Sequence, residues 1–351
     1  MRILLYEYLT GGGLWSDQLE DPLQHPLLAE GRAMVEAVGT DLQRVAGVQL
    51  VTFQDARLAR HCAPPGAVVS ITGAPHEQKA LADWSSRVDG VLLIAPEHGG
   101  RLLCRSRWVE RHGGRLLSPD AAFVEIATDK SRTAGLLAAS GVAVPRAVQL
   151  DPGVPIPDGF PFPAVLKPND GVGAFETHLL ADRAAAVRLR GTYGGVRRLE
   201  AYCAGLPASV LAMCGPAGPR LLPACQQRVT CAGQFCYAGG TFPLPDPLAQ
   251  RAGPLARAAL AALPRTGGFV GVDMILGAAP DGTGDVVLEV NPRLTTSYVG
   301  LRCGTSANLA AAMLAIRRGA AYPSLCFRAG TVEFQADGRI RQTGGSASTA
   351  L

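Results

Sequence analysis

Gly271-Val272-Asp273-Met274-Ile275-Leu276 and, after the polar stretch 278–285, Val286-Val287-Leu288-Glu289-Val290-Asn291-Pro292-Arg293 are the segments on which the fold of this chain turns. Both are short apolar runs, and Asp281-Gly282 between them is a turn signal, so together they predict an antiparallel hairpin. Folding about that turn sets Asp273 within about one residue of direct opposition to Glu289. Glu289 and Asn291 are two apart on a strand and project to one face. Three oxygen-bearing side chains then converge on one spot. Such a hard donor set suits Mg²⁺, which keeps waters and phosphate oxygens in its remaining positions. The plainer alternative is a hairpin with its acids on a solvated face, for which an Asn-Pro-Arg ending is odd.

Upstream lies Ala164-Val165-Leu166-Lys167-Pro168-Asn169-Asp170-Gly171-Val172-Gly173. A buried strand delivers a lysine at its end, and the loop that follows holds two glycines. Gly171 and Gly173 would let backbone N–H groups come close to phosphate oxygens. Lysine precedes the glycines, so this is not a Walker loop, and a simple surface turn is the alternative. Asp129-Lys130 stands just before a helix predicted over 131–140, where a cation opposes the helix dipole. Lysine occurs only at 79, 130 and 167, so 30 of the 33 cations are arginine. A chain that otherwise uses arginine keeps lysine at both of these places.

Strands predicted at 2–9, 48–53, 68–71 and 91–94, with helices between them, give a doubly wound α/β unit over 1–118. A second unit, 119–204, holds the helix at 131–140, a Pro-rich connector at 151–163 and strands at 164–167, 178–180 and 197–203. The third, 205–335, is strand-rich and α+β in character. Its strands are placed at 210–214, 221–225, 234–238, 269–276 and 286–290, with a helix at about 248–263 that meets Pro254 near its start or at a kink. Residues 336–351 are rich in Gly, Ser and Thr and read as a flexible tail.

These signals, in this order and at these gaps, resemble the ATP-grasp superfamily over residues 119–315. The resemblance implies an ATP-grasp fold behind a Rossmann-like pre-ATP-grasp domain. It implies that Lys130 and Lys167 grip phosphates, with Gly171 and Gly173 lying over them. Leu199-Glu200-Ala201-Tyr202-Cys203-Ala204-Gly205 resembles the hinge, with the backbone of Glu200 and Cys203 at the adenine edge and Tyr202 between them. Asp273, Glu289 and Asn291 would hold two Mg²⁺, for which Mn²⁺ can substitute. Arg293 would stabilise the transferring phosphoryl group or the oxyanion, and Arg228 is a second candidate. Two departures stand out. Leu206-Pro207-Ala208 replaces the ribose-binding Glu of many relatives, and Gly271 stands where some peptide-forming relatives carry Arg. Segments 5–13, 233–240 and 291–298 are similar to the tyramine–L-glutamate ligase group of methanofuran-type cofactor biosynthesis. The implied activity is ADP-forming ligation of L-glutamate to tyramine or tyrosine through an acyl phosphate. Alternatives are another amino-acid pair, an ATP-dependent carboxylase, a kinase-like phosphoryl transferase, or a non-catalytic nucleotide-binding module.

Composition sets the bounds. A net charge of +4 does not mark a nucleic-acid binder. No apolar run reaches the ~18 residues of a membrane span, and Glu7 interrupts the apolar start that a signal peptide would need. The nine cysteines lack any CxxC spacing, and no histidine follows His178, so a C-terminal zinc site is not expected. Cys203, Cys214 and Cys225 are read as buried free thiols of a cytoplasmic protein. The expected partners are a small-molecule acid and amine, with no nucleic acid and no membrane, and a homodimer is among the assemblies allowed.

Overall fold

The structure is a computed structural model that describes residues 1–190, 192–322, 324–343 and 348–350. Its N-terminal unit is a parallel sheet in the order Ala67–Ile71, Gln49–Asp55, Arg2–Glu7, Gly90–Ile94. Alternation along these strands sorts the side chains into two layers. Ile3, Leu5, Leu50, Leu92 and Ile94 face the helix Leu28–Gln43. Leu4, Tyr6, Val51, Phe53, Val91 and Leu93 pack with Ala80, Leu81, Leu102 and Val109 of the helices Ala74–Ser85 and Arg101–Arg111. The unit is therefore doubly wound, except that a 3₁₀ turn at Ala56–Leu58 replaces the helix expected between its second and third strands.

The central unit is a four-stranded antiparallel sheet in the order Ala147–Leu150, Arg197–Ala201, Ala164–Pro168, His178–Leu180. Leu166, Leu180 and Leu199 pack on one side with Ala186 of the helix Arg183–Arg190. Val165, Lys167, Arg198 and Glu200 alternate to the other side, and their register sets Val165 opposite Glu200 and Lys167 opposite Arg198.

The C-terminal unit is a larger antiparallel sheet. It runs from Val286–Asn291 through Gly268–Leu276, Leu206–Gly215, Cys225–Cys231 and Phe235–Phe242 to Thr331–Gln335 and Ile340–Thr343. The strand expected at 221–225 divides into Gly218–Leu221 and Cys225–Cys231. Pro223 lies in the gap and has no N–H for a ladder. The segment read as a flexible tail contributes Ile340–Thr343, paired to Thr331–Gln335. Pro254 falls in the middle of the helix Asp246–Ala261, not near its start.

One face of this sheet (Ala208, Val210, Ala212, Val270, Val272, Met274) packs on Ala252, Ala256 and Ala259 of that helix. The other face, with Leu211, Met213 and Phe269, shares one core with Tyr298, Leu309 and Met313 and with Met34 and Val38 of the N-terminal unit. Asp273 alternates to this second face and so looks toward the N-terminal unit. Buried Asp41 locks the junction. It accepts from the Tyr298 hydroxyl at 2.6 Å and from Arg302 at 2.9 and 2.6 Å, and its carbonyl accepts from Asn308 Nδ2 at 2.7 Å. No helix among the described residues is long and apolar enough to cross a membrane. Replacing Asp41 with Ala leaves a guanidinium and a buried hydroxyl without their acceptor. Urea unfolding should show a loss of about 3 kcal/mol.

Candidate active site

The hairpin forms, and its register pairs Gly271 with Asn291 and Asp273 with Glu289, after which an extra residue shifts the ladder. Asp281-Gly282 is not a tight two-residue turn. It sits in a loop over 277–285 closed by Asp285, which accepts from Gly277 N–H at 2.7 Å and pairs with Arg251. Asp273, Glu289 and Asn291 line one small cavity with Arg293. Asn291 Nδ2 donates to Asp273 Oδ2 at 3.0 Å, and Gln227 Nε2 donates to Oδ1 at 3.1 Å.

Lysines meet this cluster from the central unit. Lys130, at the first position of the helix Lys130–Ala139, is buried and places Nζ 2.5 Å from Glu289 Oε2. Its departure from the helix-dipole rule is thereby explained, because a carboxylate from another unit compensates the charge. Lys167 Nζ lies 2.8 Å from Glu200 Oε2, and Arg198 Nε lies 2.6 Å from Glu200 Oε1. Lys167 and Arg198 face each other across the ladder, which is unfavourable for like charges. Glu200, two residues along from Arg198, joins them. Lys79, by contrast, sits on an exposed helix in an i,i+4 pair with Asp83.

The charge environment divides the two hairpin acids. Burial, and next the Glu289 carboxylate, push Asp273 up to about 7 against the hydrogen bonds from Asn291 and Gln227. Burial also opposes ionisation of Glu289, but Lys130 and then Lys167 outweigh it and hold Glu289 below the ordinary carboxylate range. For Glu200, burial is likewise overcome by Lys167 and Arg198.

A larger cavity of about 380 Å³ adjoins the cluster. Its lining includes Val165, Lys167, Tyr202, Cys203, Pro207 and Ile275, and it shares Gly173, Asp273 and Glu289 with the smaller one. Gly173 has a positive φ of 54°. Gly171 is buried behind Pro168 and its N–H donates to the Pro168 carbonyl at 3.3 Å, so it shapes the turn without lining either cavity. The expectation for the Glu200 backbone does not hold. Glu200 has Ala147 on one side and Val165 on the other within the sheet, and its contribution is the carboxylate that holds Lys167. Cys203, past the end of that strand, is half-buried at the cavity wall and was expected to be buried. Arg228 also stands apart. It donates to the carbonyls of Phe334 at 3.2 Å and Ala238 at 3.5 Å, because alternation gives the cavity face to Gln227.

Several residues went unread in the sequence. Asn169 clamps the glycine loop to the helix start. It accepts from Ser131 N–H at 3.1 Å and Ser131 Oγ at 2.7 Å, donates to Asp129 at 2.9 Å, and takes Lys130 N–H on its carbonyl at 3.0 Å. Asp170 ties the same loop to the N-terminal unit by accepting from Gly99 N–H at 2.8 Å. Glu97 holds Arg293 Nε at 2.9 Å. Polar residues flanking Lys130 and Lys167 were the available signal for Asn169. Glu97, nearly 200 residues from Arg293, had none.

Residues 127–297 match the model of the ATP-grasp domain, in its third family, and residues 48–124 match that of the pre ATP-grasp 3 domain. The chain has the ATP-grasp fold. Solved structures agree with this ATP-grasp assignment. A putative ATP-grasp superfamily protein from Archaeoglobus fulgidus is 19% identical, with a TM-score of 0.66 over 95% of this chain and 92% of that one. An L-amino acid ligase from Bacillus licheniformis is 14% identical, with a TM-score of 0.63 over 95% of this chain and 80% of that one. A biotin carboxylase complex from Campylobacter jejuni is 14% identical, with a TM-score of 0.69 over 95% and 74%. No curated protein matches the sequence significantly.

The ATP-grasp hairpin also explains Gly271. A Cβ there would stand 2.6 Å from Thr295 Cγ2, so glycine lets the chain after Asn291 fold back over the strand. Gly271→Ala should lower stability by about 1–3 kcal/mol through overpacking. Adding Thr295→Ser, which removes that methyl, should recover most of the loss in thermal melting.

Proposed function

We propose that this protein is an ATP-dependent carboxylate–amine ligase that releases ADP and phosphate. One observation carries the reading. Two cavities share Asp273 and Glu289 of an Asp–Glu–Asn cluster, and buried lysines from another unit reach it, Lys167 on the wall of the larger cavity and Lys130 behind it on Glu289. Lys130 and Lys167 would take phosphate oxygens, and Ala201 to Cys203 would border the base. Asp273, Glu289 and Asn291 fit Mg²⁺, since the donors are hard oxygens and burial beside Glu289 already disfavours a lone charge on Asp273. Mg²⁺ bound there supplies neutralisation of the charge on the transferring phosphoryl group.

In the reaction, a substrate carboxylate oxygen attacks the γ-phosphorus. The β–γ phosphoanhydride bond breaks and ADP leaves. The amine nitrogen then attacks the acyl carbon, the C–O bond to phosphate breaks, and a proton leaves the nitrogen. The protein positions the parts and holds fixed charge where charge develops. Arg293, held by Glu97 and lining the same cavity, would face the phosphoryl group or the tetrahedral oxyanion. The similarity of segments 5–13, 233–240 and 291–298 to the tyramine–L-glutamate ligase group supports L-glutamate as the acid and tyramine or tyrosine as the amine.

The test is a product assay with Mg·ATP, L-glutamate and either amine, separating ADP from AMP and following the amide by mass. ADP formed only with both substrates, together with a glutamyl amide, is the expected result. ADP formed with bicarbonate instead of an amine would make the protein a carboxylase. Asp273→Asn and Glu289→Gln should each abolish turnover, and Lys167→Arg should lose at least about tenfold although charge is kept. Full activity in both acid variants would refute the metal assignment. Mg²⁺ affinity should depend on pH. A proton competes for Asp273 below about 7, so affinity should fall by up to about tenfold per pH unit below that point and level off above it. Calorimetric titration between pH 6 and 8 reads this directly.

A further inference from the structure

We propose that Glu30 anchors a primary ammonium group of a substrate in the small cavity between the N-terminal unit and the hairpin. This deepens the ligase reading and rests on it. Glu30 lies in the first turn of the helix Leu28–Gln43 and lines the cavity with Tyr237, Asp273, Asn291 and Arg293.

The neighbouring acids each have partners in the protein, although the second carboxylate oxygen of Glu97 has none among the described residues. Glu97 holds Arg293, Glu289 holds Lys130, and Glu200 holds Lys167 and Arg198. Glu7 accepts from Leu9 N–H at 3.1 Å and from Thr10 N–H and Oγ1, both at 2.8 Å. Asp273 accepts from Gln227 and Asn291. Glu30 has one neutral donor, the Thr296 hydroxyl, and feels the Arg293 charge across the cavity without forming an ion pair among the described residues.

A second feature of the cavity points the same way. Tyr237 lines this space as well as the larger cavity, and its hydroxyl makes no hydrogen bond among the described residues. An ammonium has three donors and no acceptor. A carboxylate and a phenol oxygen match that pattern. Burial raises Glu30 above the ordinary carboxylate range, the direction a bound cation would reverse. The cavity also contains Arg293 and the hairpin cluster, where the carboxylate would be activated. A molecule spanning both ends carries an ammonium and a carboxylate, or is an amine brought beside one.

The ammonium could belong to the acid substrate or to the attacking amine, and the experiment separates them. The full chain, loaded with a non-hydrolysable Mg·ATP analogue, is titrated calorimetrically with L-glutamate against glutarate and with tyramine against tyrosol. In the wild type, at least one amino compound should bind roughly thirtyfold more tightly than its analogue. In Glu30→Gln that preference should shrink to under about threefold, while affinity for the nucleotide analogue is unchanged. A gap in the first pair assigns the acid's α-ammonium, and a gap in the second assigns the acceptor amine. Absence of a preference in the wild type, or its survival in Glu30→Gln, overturns the proposal. Glu30→Asp, with its carboxylate drawn back by one methylene, should lose the same preference by a smaller factor and serves if the glutamine variant does not fold. If neither L-glutamate nor tyramine binds, the substrate reading fails on its own. Thermal melting with the common amino acids and their des-amino analogues then decides Glu30. A preference lost in Glu30→Gln supports it, and no preference for any amino compound overturns it.

Discussion

The site depends on one buried ion pair between units that are far apart in sequence. Lys130 begins a helix of the central unit, and Glu289 lies on a strand of the C-terminal sheet. Each charge would be costly to bury alone, and neither has much water around it. Their pairing holds Lys130 above its ordinary range against desolvation and Glu289 below its own. The helix and the hairpin are thus set in register by charge, and both cavities are lined by Glu289 at that contact. Asn169 adds the glycine loop by satisfying donors at the start of the same helix.

A second layer of dependence comes from the N-terminal unit. Its first helix shares a core with the back of the C-terminal sheet, and Asp41 adds a buried polar lock. The loop after its last strand sends Glu97 to Arg293 and Gly99 to Asp170. The unit therefore completes the walls of the site. Removing it would leave Arg293 without its carboxylate and the glycine loop without one of its tethers.

Much of this was legible in the sequence because it is local. The period of two along 271–276 and 286–291 placed Asp273, Glu289 and Asn291 on one face. The scarcity of lysine drew attention to Lys130 and Lys167. What was not legible depends on tertiary register. Arg228 and Gln227 are neighbours, and only the pairing of their strand decides which one meets Asp273. The Glu200 backbone could be excluded only once strands were seen on both its sides. Pro223, which splits an expected strand, is by contrast a local signal. Glu30 and Glu97 come from a unit whose docking no local pattern encodes.

The near absence of lysine has a practical side. Lys130 and Lys167 have their ammonium groups enclosed, with side chains 7% and 8% exposed, whereas the Lys79 side chain is 76% exposed. Reagents that acylate amines meet an almost blank surface. Of the three lysines, Lys79 is the one they can reach. Coupling through amines would therefore hold the molecule in very few orientations.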